Sequence, residues 1–249
     1  MTSLLIAALA LAGFVVGWPQ RALIFRYAVP AGELPRDTCP ACGRPAKPRW
    51  PRFPVSVGGR FPGSLGRCPG CRTRTGPPGL AVAATTAILL GALAARVHPG
   101  LVLAAACWLA VCAVPLAFID AAVRRLPDRL TVPAYAGLAV LLLGAAAASC
   151  HWHILLRAVL GGCALAGFYL ALVLISPSAM GLGDVKLAAS LGTVLAWFGW
   201  RTLIAGGLAG FGLAGLYGIA LLASGRATRK QQIPLGPFMM AGACLVILI

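Results

Sequence analysis

Residues 101–120 read LVLAAACWLAVCAVPLAFID, an uncharged apolar run from Leu101 to Ile119 closed by Asp120. A helix rises about 1.5 Å per residue, so this run spans ~28 Å, close to the ~30 Å of a bilayer's hydrocarbon core. It is apolar all round, with no polar face to turn to water. Such a helix is buried on every side or sits in lipid.

Working outward, seven comparable runs flank it, at residues 2–18, 79–95, 131–150, 154–176, 185–200, 202–223 and 233–249. The chain of 249 residues is 60% apolar and 10% charged, against roughly 45–50% and ~25% for a soluble domain. Its mean hydropathy is +0.90. This excludes a disordered chain, a disulfide-stapled miniprotein and an ordinary soluble enzyme. The fold class expected is an all-α polytopic membrane protein with about eight transmembrane helices and one polar loop, residues 19–78. The expected division is a first helix over 1–18, a loop module over 19–78 and a seven-helix membrane domain over 79–249. The 2–18 run lacks a charged segment before it and a clear cleavage site after it, so it is expected to stay as an anchor.

The net charge is +16. In a soluble protein that excess would suggest nucleic acid. Here its distribution follows topology. If the N-terminus lies outside, eight spans put every Lys and Arg on the cytoplasmic side except Arg96, Arg157 and Arg201. That is the positive-inside pattern, and it predicts both termini outside. Trp18, Trp152, Trp197 and Trp200 fall at span ends, as interfacial aromatics do. Nucleic acid is not expected as a partner; membrane lipid is.

The polar loop holds Cys39-Pro-Ala-Cys42 and Cys68-Pro-Gly-Cys71. Each C-P-x-C can set two thiolates on one tight turn, and two such knuckles complete a tetrahedral site of four cysteines. A cytoplasmic loop disfavours disulfides, and no βαβ pattern accompanies the pairs as a redox motif would require. Structural zinc is expected, because a loop this poor in large apolar residues needs a staple. The remaining five of nine cysteines lie in or beside spans, where they read as small buried apolar residues.

There are five acidic residues: Glu33, Asp37, Asp120, Asp128 and Asp184. The last three map to cytoplasmic helix ends. Asp128 follows Pro127 and precedes a helix, which suits a turn or cap. Asp184, between Gly183 and Val185, could complement a helix N-terminus, but Gly181 and Gly183 also leave room for another chain. Asp120 is at a helix C-terminus, where an acid is unfavourable, unless paired with Arg124 or Arg125. Two carboxylates in one low-dielectric site do not both ionise readily, so one serves as base and the other keeps the proton. His98, His151 and His153 fall on external turns. No P-loop, zincin motif or dinucleotide fingerprint is present.

These residues resemble a family, the type IV prepilin peptidases, which are membrane aspartic proteases of the GxGD kind. Residues 118–133, FIDAAVRRLPDRLTVP, look like the family's first catalytic segment, and residues 179–187, AMGLGDVKL, like the second. Residues 233–238, IPLGPF, resemble the motif opening its last span, and the C-P-x-C pairs match its cytoplasmic loop. The resemblance implies cleavage of the short basic leader of type IV prepilins or pseudopilins at the cytoplasmic face of the bacterial inner membrane. Asp120 and Asp184 would be the catalytic pair, supported by Gly181, Gly183, Asp128 and Lys186. Two-domain members also N-methylate the new N-terminus with S-adenosylmethionine. Here the chain departs from the pattern. Residues 17–26, GWPQRALIFR, lack the usual Ser-Phe and Asn, and residues 72–79, RTRTGPPG, lack the Tyr-Pro and following Glu. Peptidase activity is therefore the firmer expectation. The alternative from the residues alone is a proton- or cation-coupled transporter with the Asp pair as a relay.

Overall fold

The computed structural model describes residues 2–30, 33–44, 67–68, 70–175, 181–225 and 234–249. Eight α-helices occur among them: α1 Thr2–Tyr27, α2 Gly79–Arg96, α3 Leu101–Val123, α4 Asp128–Ser149, α5 Trp152–Ile175, α6 Leu182–Phe198, α7 Trp200–Ala223 and α8 Gly236–Leu248. Six of them, α1 to α5 and α7, are long and apolar enough to cross a membrane. The protein is a multi-pass membrane protein. The expected sixth and eighth spans are helices, but shorter ones. At 13 residues, α8 is only ~20 Å long.

Helix α1 runs past Trp18 to Tyr27 and contains Pro19. Hydropathy locates the apolar stretch, not the helix end. Buried side chains anchor the extra turns. Arg21 donates to the Pro77 carbonyl at 3.0 Å and to Thr75 Oγ1 at 2.9 Å. Gln20 Nε2 donates to the Val111 carbonyl at 2.9 Å. Val111 stands four residues before Pro115, inside α3. Proline has no N–H to return to that carbonyl, so Gln20 supplies the missing donor.

The helices pack where side chains are smallest, as expected when lipid removes most of the hydrophobic drive between them. On α1, Gly13 and Gly17 lie four apart, and a Cβ on either would meet the α2 backbone at Ala87 or Ala83 within 2.9 Å. Gly161, Gly162 and Gly192 likewise leave no room for a Cβ between α5 and α6, and Gly210 and Gly242 little between α7 and α8. The core, including Leu116, Leu138, Leu142, Leu187 and Leu195, lies among α3 to α8.

Trp197, in the last turn of α6, is buried, whereas Trp18, Trp152 and Trp200 are exposed. One expectation needs correction. Cys150 and Cys163 are exposed, and Cys107, Cys112 and Cys244 half-buried. Being small and apolar, a cysteine suits a lipid-facing position as well as a core, so the pattern could not separate the two.

Arg157 serves a helix end. Arg157 donates to the Ala196 carbonyl at 2.8 Å and the Trp197 carbonyl at 2.6 Å. These are acceptors that α6 leaves open in its last turn.

Candidate active site

Asp120 lies in the last turn of α3 and Asp184 in the first turn of α6. In an antiparallel succession of helices, both turns belong to the same end of the bundle. Both carboxylates are buried, at 4% and 9% exposure, and each lies within electrostatic reach of the other. The starts of α4 and α8 share this end. Helix α8 packs on both α3 and α6 and so bridges the two acid-bearing helices.

Asp120 is in no close ion pair among the described residues. Its Oδ2 accepts a buried hydrogen bond from the Gly236 N–H at 3.0 Å, while Arg124 acts on it at longer range. Arg125 is turned away and donates to the Pro30 carbonyl at 3.0 Å. Arg124 closes α3 in the left-handed region, φ 53°, with its N–H on the Asp120 carbonyl at 2.7 Å. Among the described residues, Asp184 receives only a long contact from the Gly181 N–H, 3.4 Å from Oδ2.

The two glycines of the G-x-G-D stretch differ in role. A Cβ on Gly183 would meet Leu126 Cβ at 2.8 Å, so Gly183 lets the start of α6 press against the turn before α4. Among the described residues, nothing comes closer than 3.9 Å to a Cβ built on Gly181, which leaves space on that side of the glycine. Asp128 is not a side-chain cap. Pro127 takes the N-cap position without a side-chain bond, and Asp128 Oδ1 accepts from Lys186 Nζ at 2.6 Å. This pair ties the start of α4 to α6, two residues beyond Asp184. Residues 179, 180 and 233, the outer members of the quoted motifs, lie outside the described residues, as do Arg49 and Arg52 of the polar loop.

Tyr169 of α5 and Gly236 of α8 were not singled out from sequence. The Tyr169 ring is buried and stacked on Phe211 at 5.2 Å between centroids, and its hydroxyl interacts electrostatically with Asp184. A tyrosine inside an apolar run gives no sign of which neighbour it meets. Gly236 at least stood in the 233–238 motif, where a glycine beside two prolines marks a constrained helix start.

The four loop cysteines converge, with all sulfurs within 4.8 Å of one another. The two knuckles repeat one backbone pattern. The Cys39 N–H bonds the Arg44 carbonyl at 2.8 Å, and the Cys68 N–H the Thr73 carbonyl at 2.9 Å. Gly43 and Arg72 occupy the same left-handed position, φ 66° and 57°, each with its N–H returning to the first cysteine of its pair. Cys39 lies opposite Cys71, and Cys42 opposite Cys68, both at 3.7 Å between sulfurs. That is far beyond the ~2.05 Å of a disulfide. The N–H groups of Ala41 and Cys42 hold the Cys39 thiol down at about 6. The Thr73 hydroxyl and N–H likewise hold Cys71 below the usual thiol range. Four sulfurs gathered this way could hold a metal ion.

Residues 103–248 match the model of the type IV leader peptidase family. The chain belongs to that family. Among curated proteins it is similar to a prepilin leader peptidase/N-methyltransferase of Burkholderia pseudomallei, with 35% identity over 86% of this chain and 67% of that protein. Proteins of the same description from Aeromonas salmonicida, 32% identical, and Pseudomonas aeruginosa, 30% identical, match over 86% of this chain and 72% of theirs. No solved structure matches. The matched region contains Asp120, Asp184 and Gly236, and membership makes the protein a membrane peptidase. Nothing in these similarities favours a transporter.

Proposed function

We propose that the protein removes the short basic leader of type IV prepilins or pseudopilins, with Asp120 and Asp184 as the catalytic pair. The observation that carries this reading is the burial of two carboxylates at one end of the bundle, with Asp184 within electrostatic reach of Asp120. One carboxylate takes a proton from water as the water oxygen attacks the scissile carbonyl. The other gives its proton to the carbonyl oxygen. When the C–N bond breaks, the leaving amine takes up the first proton. The open space at Gly181 suits an extended substrate segment, and the helix ends lie where apolar helix meets water. The site is then at the cytoplasmic face of the bacterial inner membrane, with both chain termini outside.

The cysteine module fits structural zinc. Four Zn–S bonds of ~2.3 Å at tetrahedral angles set neighbouring sulfurs ~3.8 Å apart, and the 3.7 Å separations match. Cys39, Cys42, Cys68 and Cys71 would hold the ion, whose chemistry there is folding of the 19–78 module. The relatives' names also carry N-methyltransferase; in this chain that activity would use S-adenosylmethionine in the loop module, where the quoted departures fall.

The test is co-expression with a prepilin and intact-mass measurement of leader loss. Asp120→Asn and Asp184→Asn each abolish cleavage while the protein still inserts and purifies as the parent does. Full cleavage by either variant sinks the assignment.

A further inference from the structure

Like acids in a pair are distinguished by their surroundings, and here the surroundings differ. The Gly236 N–H reaches Asp120 Oδ2 at 3.0 Å, within the ordinary N–H···O range. The Gly181 N–H stands 3.4 Å from Asp184 Oδ2, outside it. Arg124 acts on Asp120, whereas Lys186, the cation nearest Asp184 in sequence, is held by Asp128.

The Gly236 contact is shaped for its partner. A Cβ on Gly236 would stand 2.8 Å from Asp120 Oδ2 and 3.3 Å from its Cγ, so no larger residue fits while the carboxylate stays in place. The donor belongs to the first turn of α8, where N–H groups lack intrahelical partners and the helix dipole is positive. Asp120 sits at the opposite kind of end on its own helix, where the dipole opposes a negative charge. Asp184 has the first turn of α6 in its favour but no close donor and no cation facing it among the described residues.

We infer that Gly236 is a positioning residue that fixes Asp120 Oδ2 and makes Asp120 the negatively charged member of the pair, leaving the proton on Asp184. This rests on the two-aspartate reading. Asp120 then takes the proton from the attacking water as the new C–O bond forms, and Asp184 protonates the carbonyl oxygen. On collapse the C–N bond breaks, Asp120 returns its proton to the amine nitrogen, and Asp184 recovers one from the diol oxygen. No other reactant is needed.

Among the described residues, the other charged groups on α1, α2 and α4 are engaged elsewhere or exposed. Arg21 bonds Pro77 and Thr75, Arg26 pairs with Asp37, Arg129 is exposed, and Arg96 bonds the Ile249 carbonyl. Helix α8 carries no charged residue, and Tyr169 of α5 lies within electrostatic reach of Asp184.

The experiment measures cleavage of a prepilin with a basic leader and apolar helix by the full-length enzyme in liposomes, as a function of pH. In Gly236→Ala the added methyl displaces the Asp120 carboxylate. The expected result is a fall in kcat of about tenfold or more with KM within about twofold. The acid limb of the pH–rate profile moves to higher pH and the basic limb stays, because the acid limb reports the base. Gly212→Ala in α7, where nothing lies within 4 Å of an added Cβ, should behave as the parent. Unchanged turnover in Gly236→Ala, or movement of the basic limb instead, overturns the inference.

A second measurement does not depend on the folding of Gly236→Ala. The infrared carbonyl band of a protonated carboxyl should persist in Asp120→Asn and disappear in Asp184→Asn; the reverse overturns the assignment. Cleavage surviving in either Asn variant would instead remove the two-aspartate reading on which the inference stands.

Discussion

Asp128 shows how little a residue's local sequence says about its partner. Following a proline and opening a helix, it has the credentials of a cap. Yet its carboxylate is bound by Lys186, 58 positions away in sequence. Both side chains are largely exposed, 64% and 47%. Water screens such pairs, which contribute about 0.2–1 kcal/mol. Asp128→Asn keeps the shape and a hydrogen-bond acceptor and removes only the charge. It should therefore retain substantial cleavage, in contrast to the Asn variants at Asp120 and Asp184. Initial rates of leader removal by the three variants decide this, and loss of all turnover in Asp128→Asn would place it among the groups that act on the substrate. The difference among the three acids is burial. Asp120 and Asp184 are enclosed at one end of the bundle, whereas Asp128 faces solvent.

At the scale of the helices, Pro115 and Gln20 form a compensating pair. Pro115 leaves the Val111 carbonyl without its intrahelical donor, and Gln20 of α1 supplies one while also accepting from Thr86 Oγ1 at 3.3 Å. Removing a polar partner inside a membrane bundle costs about 0.6–2 kcal/mol. Gln20→Leu should lower stability by that order, measured by unfolding in mixed micelles. In a Pro115→Ala background the residue at 115 can bond Val111 within α3, so Gln20→Leu should cost less there. Equal costs in both backgrounds would show that Gln20 acts through something other than this carbonyl. Helix existence and order were legible from apolar runs; the ends were not. Helix α1 continues to Tyr27 because buried polar anchors beyond the apolar stretch hold it, and α8 is shorter than its run because the constrained 234–237 stretch starts it late.

Across the whole molecule, the paired C-P-x-C knuckles lie between α1 and α2, and one ion would close the intervening chain. Purified protein should carry near-equimolar zinc by elemental analysis, falling when Cys39 and Cys68 are both changed to Ser. Protein purified without metal, with four free thiols and full activity, would refute a required ion. Binding free energy at such a site is also folding free energy, so the double variant should make the 39–71 stretch more susceptible to protease while α3 to α8 stay protected. The sequence by itself determined the membrane class, the helix order, the side of the bundle carrying the acids and the identity of the four thiols. Apolar length, charge asymmetry and ligand spacing are local properties, and they survive in one dimension. Only the tertiary structure decided which partner each acid has. Asp120 meets Gly236 across 116 positions, and Asp128 meets Lys186 rather than its own backbone. Tyr169 of α5 stacks on Phe211 of α7, and Gly183 presses on Leu126. These pairings depend on how closely glycine-lined helices approach one another, which is set by three-dimensional packing that no run of hydropathy records.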